Sequence, residues 1–217
     1  MVPAVHPIHL GFSVAFMLVG EAGPVLLDAG LAGSERLIWA ALRRRGFRPA
    51  ELRAVILTHS HLDHCGCVPA LLRESGAVLA AHPLAAAGLR GGRFRVPQGR
   101  KALGKAMQAA FRLAGPRLQS PQAEVGFFLE DGAGLESLGL PARVLHTPGH
   151  SMDSLTVLLE DGRAFTGDLF ERAGRRAVPQ PYFVEDDDAL AESIARLRRE
   201  HPRAVYTSHW PYPLQLD

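Results

Sequence analysis

Cysteine is scarce in this sequence, and its scarcity excludes a disulfide-stabilised fold. The only two cysteines among 217 residues are Cys65 and Cys67, which stand one residue apart. A bridge between such close neighbours would close almost no chain, so it would do little to constrain the unfolded state. Because free cysteines are typical of a reducing compartment, we expect a cytoplasmic protein.

Net charge and long apolar runs are also lacking. The formal net charge is only +2, which is too small to indicate nucleic acid as a partner. The apolar segment Phe12–Val19 is too short to span a bilayer, and Met1–Leu10 has no Lys or Arg to begin a secretory signal. We therefore expect neither a membrane segment nor export.

Acidic residues are missing from one long stretch, Ser75 to Ala123, which is rich in basic residues. These are Arg90, Arg93, Arg95, Arg100, Lys101, Lys105, Arg112 and Arg117. Within this stretch, residues 83–122 hold several Gly and Pro and one predicted helix, Lys101–Leu113, so we treat them as a basic insertion. The insertion is either a solvated Arg-rich surface or a lid whose cations attract an anionic substrate.

The length favours one domain, residues 1–217, that contains this insertion. Such a chain can bury a full core without a structural metal, so any bound metal is expected to be catalytic. Both halves of the chain place predicted strands before a predicted helix. The strands are 8–19, 25–27, 54–57, 77–81, 124–129, 143–146, 155–159, 164–166 and 204–206, and the main helices are 34–45, 68–74 and 186–200. This pattern predicts an α+β fold with two sheets packed face to face and helices outside.

The densest chemical feature is the segment His59-Ser60-His61-Leu62-Asp63-His64, which directly follows the apolar run Ala54–Leu57. Imidazole and carboxylate are common zinc ligands, and a strand that ends in this cluster can direct several of them to one point. Three further candidates follow predicted strands, namely His150, Asp168 and His209. Cys65 and Cys67 are also open to a role as thiolate ligands, although a small buried thiol is the commoner case.

These residues together resemble the metallo-β-lactamase superfamily, and the resemblance covers nearly the whole chain. It implies an αββα four-layer sandwich with a small helical insertion and with metals at one edge. His59, His61 and His150 would bind one metal, Asp63, His64 and His209 a second, and Asp168 would bridge both. Asp28, in Leu-Leu-Asp-Ala-Gly, resembles the family's carboxylate that supports the ligands from behind.

The resemblance further implies a hydrolase that carries two zinc ions, with iron or manganese as alternatives. We expect it to cleave an ester-like acyl bond, a thioester or a lactone, with Asp63 orienting the attacking water. The nearest branch is that of glyoxalase II, but the chain ends soon after His209, so we expect the C-terminal helical domain of that branch to be absent.

Two other reactions stay open at this stage, a mononuclear iron persulfide dioxygenase and a phosphodiesterase or nuclease of the same fold. We expect a small-molecule, anionic substrate, whose binding residues are unknown. A homodimer is also left open.

Overall fold

A computed structural model of the chain describes residues 2–92, 96–114, 120–180 and 182–216. Its first sheet contains six strands, paired in the order in which they follow one another in the chain. They are β1 (Ala4–His9), β2 (Val14–Gly20), β3 (Gly23–Leu27), β4 (Ala54–Ile56), β5 (Val78–Ala81) and β6 (Phe127–Phe128). The pairs from β1 to β3 are antiparallel and those from β3 to β6 are parallel.

The second sheet contains five strands in the order β13-β12-β9-β8-β7. They are β7 (Ala142–His146), β8 (Leu155–Leu159), β9 (Arg163–Phe165), β12 (Ala204–Thr207) and β13 (Trp210–Leu214). A separate hairpin, β10 (Phe170–Ala173) with β11 (Arg176–Pro179), lies between β9 and β12 in the sequence.

The helices cover the outer faces of the two sheets. They are α1 (Glu35–Arg43), α2 (Leu62–Cys65), α3 (Val68–Ser75), α4 (Pro83–Gly91), α5 (Lys101–Ala114) and α6 (Asp187–Arg199), and 3-10 turns cover Pro49–Glu51 and Glu136–Leu138. One apolar cluster joins α1, α3 and α4 to the first sheet, a second fills the space between the sheets, and a third joins α6 to the second sheet. The arrangement is therefore the predicted αββα sandwich, held by three apolar layers.

Local signals in the sequence account for several boundaries. In α6, the Asp186 carboxylate accepts a hydrogen bond from the Ala189 N–H at 2.9 Å, and basic residues occupy the last turn. Helix α3 ends at Gly76, whose φ of 72° suits glycine. Within the described residues, no helix combines the length and the apolar character that crossing a bilayer requires.

Some predicted elements differ from the structure. The expected strand Ile8–Val19 is instead a hairpin, because the chain turns between β1 and β2 with the Leu10 N–H donating to the Ser13 carbonyl at 2.9 Å. The expected strand at 124–129 is reduced to β6. Helix α4 and strands β10, β11 and β13 were not predicted.

The basic insertion contributes α4 and α5, while Arg93, Arg95 and Arg117 lie outside the described residues. Helix α5 is largely exposed and approaches the body at Gly104, where an added Cβ would lie 2.2 Å from the Tyr182 carbonyl oxygen. Nearby, Arg100 donates its N–H to the same carbonyl at 2.6 Å and pairs with Asp187 at 2.8 Å. The start of α5 is thus fastened to the segment that precedes α6.

Strand direction places the candidate residues at one edge of the sandwich. Strands β3 and β4 run parallel, as do β9 and β12, so the segments that follow each pair emerge on the same side. Asp28 follows β3, and His59 comes just after β4. Asp168 and His209 follow β9 and β12 in the same way.

Candidate metal centre

The structure brings all seven predicted ligand side chains into one cluster. Their nitrogen and oxygen atoms form three overlapping groups, in each of which the atoms lie within 4.8 Å of one another. The groups are His59, His61 and His150; His59, His64 and Asp168; and Asp63, His64 and His209. The cluster therefore has two halves, an imidazole half (the first group) and a carboxylate half (the third group), connected through His59, His64 and Asp168.

The imidazole half is completely buried. Nδ1 of His61 lies 3.0 Å from Nε2 of His59 and 3.0 Å from Nε2 of His150. All three rings are at most 7% exposed. Three ring nitrogens thus point toward a common position that water does not freely reach.

On two of these rings, those of His150 and His59, a second contact determines which nitrogen faces that position. Nδ1 of His150 lies 2.8 Å from the Phe183 carbonyl oxygen, which can only accept a hydrogen bond. Nδ1 of His59 lies 3.2 Å from the Thr58 hydroxyl, which already donates its proton to the Asp28 carboxylate. Both Nδ1 atoms are therefore donors, and both Nε2 atoms present lone pairs to the cluster.

The carboxylate half has the same design. Nδ1 of His64 donates to Oδ2 of Asp28 at 2.9 Å, and Nδ1 of His209 donates to the Phe12 carbonyl oxygen at 3.0 Å. Their Nε2 atoms lie 3.3 and 3.7 Å from Oδ2 of Asp63. The Nε2 atoms of two imidazoles and the negative charge of a carboxylate consequently face one another.

Asp168 lies between the two halves. Its Oδ2 is 3.1 Å from Nε2 of His209 and 3.7 Å from Nε2 of His150, and its Oδ1 is 3.6 Å from Nε2 of His64. The carboxylate is only 7% exposed. A single buried carboxylate can therefore reach both halves at once.

The two halves differ in their protonation behaviour. Burial lowers the pKa of His150 to about 4, although Asp168 opposes that effect, and burial lowers the pKa of His59 and His61 as well. Asp168, by contrast, raises the pKa of His209 to about 9 despite partial burial. Burial alone would lower the pKa of His64, but nearby carboxylates outweigh it and hold that pKa well above the ordinary value.

Asp28 supports the cluster from behind. Its buried carboxylate accepts hydrogen bonds from the Thr58 backbone N–H at 2.8 Å, from His64 and from the Ser208 hydroxyl at 3.2 Å. These contacts join the segments after β3, β4 and β12 and the helix α2. Asp28 also has a φ of 60°, a left-handed conformation that non-glycine residues rarely adopt and that is often found near functional sites.

The donor set fits divalent cations. In the imidazole half, three converging imidazoles of lowered pKa offer lone pairs to a divalent cation, and in the carboxylate half a cation would replace the imidazole protons among the carboxylate oxygens. Five nitrogens and two carboxylates suit zinc and also suit iron or manganese. The chemistry of the donors therefore supports metal binding in both halves.

Other residues singled out in the sequence take no part in the cluster. The thiol of Cys67 lies 2.7 Å from the Ala29 carbonyl oxygen and that of Cys65 lies 3.4 Å from the Ser60 carbonyl oxygen. Burial raises the pKa of both thiols to about 12, so neither is a thiolate. Trp210, which directly follows His209, packs its ring against Arg172 and Tyr212.

The sequence did not reveal the groups that orient the imidazoles. Two of these are the backbone carbonyls of Phe12 and Phe183, and a carbonyl leaves no side-chain signature in a sequence. A third is the hydroxyl of Thr58, which stands directly before His59 and lies 3.2 Å from its Nδ1. Its adjacency to a candidate ligand is a signal that could have identified it.

The fold and this cluster define a metal-dependent hydrolase of the αββα type. The sequence model described as the Metallo-beta-lactamase superfamily matches residues 9–209, and the chain belongs to that superfamily.

Three known proteins illustrate the similarity. The chain is 27% identical over 201 residues to the Bacillus subtilis (strain 168) protein named probable metallo-hydrolase YflN. This match covers 85% of the present chain and 74% of YflN. It is 27% identical over 203 residues to an Aspergillus fumigatus atrochrysone carboxyl ACP thioesterase, covering 89% of this chain but only 49% of the thioesterase. The crystal structure of TTHA1623 in a di-iron-bound form superposes with a TM-score of 0.65 at 29% identity, covering 95% of this chain and 92% of TTHA1623.

Proposed function

We propose that this protein hydrolyses an ester-like acyl bond, a thioester or a lactone, at a centre of two divalent metals. The observation that carries the proposal is the orientation of the imidazoles. His59, His64, His150 and His209 each have one nitrogen engaged by a separate acceptor, so that the other nitrogen faces the cluster. Such an arrangement suits a centre that stays in place through repeated turnovers.

Both halves of the cluster would hold one metal each, with Asp168 between them. Bound there, two divalent cations would supply a nucleophilic water at neutral pH and would stabilise the negative charge that develops on the acyl oxygen. We propose zinc for both positions, with iron or manganese as alternatives. TTHA1623, whose crystal structure is in a di-iron-bound form, illustrates that iron suits a relative of this fold.

Asp63 is the residue that we propose to orient the attacking water and to accept its proton. Its side chain is 18% exposed, whereas His64 beside it is fully buried. Burial alone would raise the pKa of Asp63, but His64 outweighs that effect and the pKa is lowered, so the carboxylate is ionised at neutral pH. The Ser13 hydroxyl donates to the Asp63 carbonyl oxygen at 2.6 Å and fixes the backbone at this point. A fixed and ionised carboxylate near solvent is suited to a general base.

The surroundings of the cluster support an acyl substrate. A groove of about 640 Å³ has Leu62, the residue between His61 and Asp63, in its lining, together with other uncharged residues that include Leu31, Pro69 and Gln122. Its size suits a small-molecule ligand, although none of the seven candidate ligands is among the described residues that line it. The similarity to a protein named as a thioesterase agrees with this substrate class.

The remaining proposals concern context. We propose that residues 1–217 form one domain that contains the basic insertion at about 83–122, because one apolar cluster is shared by both sheets. We also place the chain in the glyoxalase II-like branch and in the cytoplasm, in keeping with its two free thiols. A mononuclear iron dioxygenase remains the alternative activity, and it would require a single iron and the uptake of oxygen.

The proposal is tested by the substitution Asp63→Asn. If Asp63 is the general base, kcat on a thioester or lactone panel should fall about 10²- to 10⁴-fold, since proton transfer contributes that much to typical reactions. Metal content, measured by mass spectrometry, separates loss of the base from loss of a metal. Asp188→Asn removes an exposed carboxylate at the start of α6 and serves as the matched control. Equal kcat values for the two variants would contradict the role of Asp63, and oxygen uptake by an iron-loaded protein would contradict hydrolysis.

A further inference from the structure

A second large cavity lies outside the metal centre. It has a volume of about 710 Å³ and is bounded by the β10–β11 hairpin, the start of β12 and the edge strand β13. None of the seven candidate ligands lines it among the described residues. The volume is within the range of small-molecule sites. We call it the arginine groove, after Arg172, Arg175 and Arg203 in its lining.

Three guanidinium groups line the arginine groove, and their charges are poorly compensated. Among the lining residues that the structure describes, there is no Asp or Glu. Arg175 makes no side-chain hydrogen bond or ion pair with a described residue, and Arg172 makes only a 3.5 Å contact with the Gly174 carbonyl oxygen besides its ring contact. Three cations gathered in one cavity repel one another, and an anion bound among them would relieve that repulsion.

Arg203 is only loosely held by its one acidic neighbour. Its guanidinium lies 3.5 Å from Oδ2 of Asp161 and its side chain is 68% exposed. The same carboxylate is bound more closely by Arg163, at 2.8 and 3.1 Å. Because Asp161 is already neutralised by Arg163, the charge of Arg203 remains available to a ligand.

Aromatic rings complete the groove. The guanidinium of Arg172 lies over the Trp210 ring, 3.8 Å from its centroid, and the Trp210 and Tyr212 rings meet edge to face at 5.6 Å. Tyr212 is 61% exposed, which is unusual for a large aromatic side chain on a strand. Its uncovered ring is a surface on which a flat ligand can stack.

Pairing of another strand with β13 is a poor explanation for this surface. Strand β13 reads Trp-Pro-Tyr-Pro-Leu, and neither Pro211 nor Pro213 has an N–H to donate to a neighbouring strand. The features that remain for recognition are therefore side chains, namely guanidinium groups and aromatic rings.

We propose that the arginine groove binds a small ligand that carries both a phosphate group and a flat ring system, such as a nucleotide. Arg172, Arg175 and Arg203 bind the phosphate, because guanidinium groups match its oxygens in charge and geometry. Tyr212 stacks against the ring. This site lies apart from the proposed hydrolytic centre and does not depend on what that centre hydrolyses.

The test uses the metal-loaded protein and titration calorimetry with three probes, adenosine monophosphate, inorganic phosphate and adenosine. We expect the monophosphate to bind most tightly, because it alone satisfies both the guanidinium groups and the ring. Arg175→Gln should weaken its binding about 10- to 100-fold, as expected for loss of a hydrogen-bonded charge. Tyr212→Ala should weaken binding of the monophosphate but leave binding of inorganic phosphate unchanged.

Arg43→Gln removes an equally charged, exposed side chain from α1 and is the matched control, expected to change affinity less than twofold. Circular dichroism verifies that each variant is folded. An affinity that Arg175→Gln and Tyr212→Ala both leave unchanged would show that the monophosphate binds elsewhere, for instance at the metals, and would overturn the proposal. Equal weakening by Arg43→Gln would overturn it as a non-specific charge effect. A single-stranded oligonucleotide that binds much more tightly than the monophosphate would replace the small ligand with a nucleic acid.

Discussion

Both halves of the metal centre contain histidine side chains, but the burial and the neighbouring charges of these side chains differ between the halves. In the imidazole half, His150 is 1% exposed, and its pKa is lowered to about 4, chiefly by burial. In the carboxylate half, His209 is 24% exposed, and Asp168 raises its pKa to about 9. At neutral pH the first ring is therefore neutral in the metal-free protein, whereas the second carries a proton.

If each half holds a metal as proposed, this difference means that protons compete with the cation mainly in the carboxylate half. A cation that enters the imidazole half displaces no proton, because the lone pairs are already free. A cation that enters the carboxylate half must displace the proton of His209. It must also compete with a proton on His64, because the pKa of His64 is raised. The protein can consequently fill one half before the other, according to pH.

The largest expected effect follows from that contrast. As pH falls below about 9, His209 binds a proton in the metal-free protein, and the zinc affinity of the carboxylate half should fall at least tenfold for each pH unit. The zinc affinity of the imidazole half should stay nearly constant until pH approaches about 4. Equilibrium dialysis against buffered zinc between pH 6 and 8.5 measures both affinities through the bound stoichiometry.

A matched variant identifies the half that responds to pH. His209→Ala should leave a single zinc whose affinity does not change with pH over this range. If the two zinc ions of the unaltered protein showed the same pH dependence, the proposed difference between the halves would be wrong.

A smaller effect should follow from Asp28→Asn. The Asp28 carboxylate accepts the Nδ1 proton of His64 directly but reaches His59 only through the Thr58 hydroxyl. We expect the carboxylate half to lose about 10- to 100-fold in metal affinity, the typical cost of removing such a support, and the imidazole half to lose less. Chelator competition measures the two affinities, with Asp188→Asn as the exposed control. Equal losses of metal affinity in the two halves would show instead that Asp28 supports the whole edge of the sheet.

The smallest effect concerns the basic insertion. Its Gly99 pairs with Phe183, whose carbonyl orients His150, so the insertion adjoins the imidazole half. If its cations attract an anionic substrate, the double substitution Lys101→Glu and Lys105→Glu should raise KM for a charged thioester about threefold to fivefold, because exposed charges act through screened fields. A neutral ester should be unaffected, and so should metal content.

The control for the insertion is the pair Arg43→Glu and Arg44→Glu on and beside α1, which makes the same change in net charge elsewhere on the surface. If both double variants raised KM equally, the effect would come from total charge, and the interpretation of the insertion as a lid would lose its support.

Much of the fold was predictable because it depends on local patterns. Buried strands such as β4 and β8 are short apolar runs, and α6 has both a capping aspartate and an apolar face. Strands β10, β11 and β13 were missed since they are short and contain arginine or proline, although each pairs with its neighbour in the chain. The turn between β1 and β2 was hidden inside an apolar run, where Phe12 remains 63% exposed.

The candidate site was more predictable than the fold around it. Its side chains occur in a dense motif or directly after strands, and the resemblance to the metallo-β-lactamase superfamily assigned them to one site. What the sequence could not supply was the orientation of the His209 and His150 rings, which depends on carbonyls that come from Phe12 and Phe183, far away in the sequence. The difference in imidazole pKa between the two halves likewise depends on distances between charged groups that only the folded chain defines.

The hydrogen bonds of Asp28 have a consequence for how the protein acquires its metals. Asp28 joins three segments and a helix through hydrogen bonds that need no metal, so these bonds would hold the pocket together during metal exchange. We therefore expect reconstitution after chelation to require the entry and partial dehydration of a cation, and no refolding.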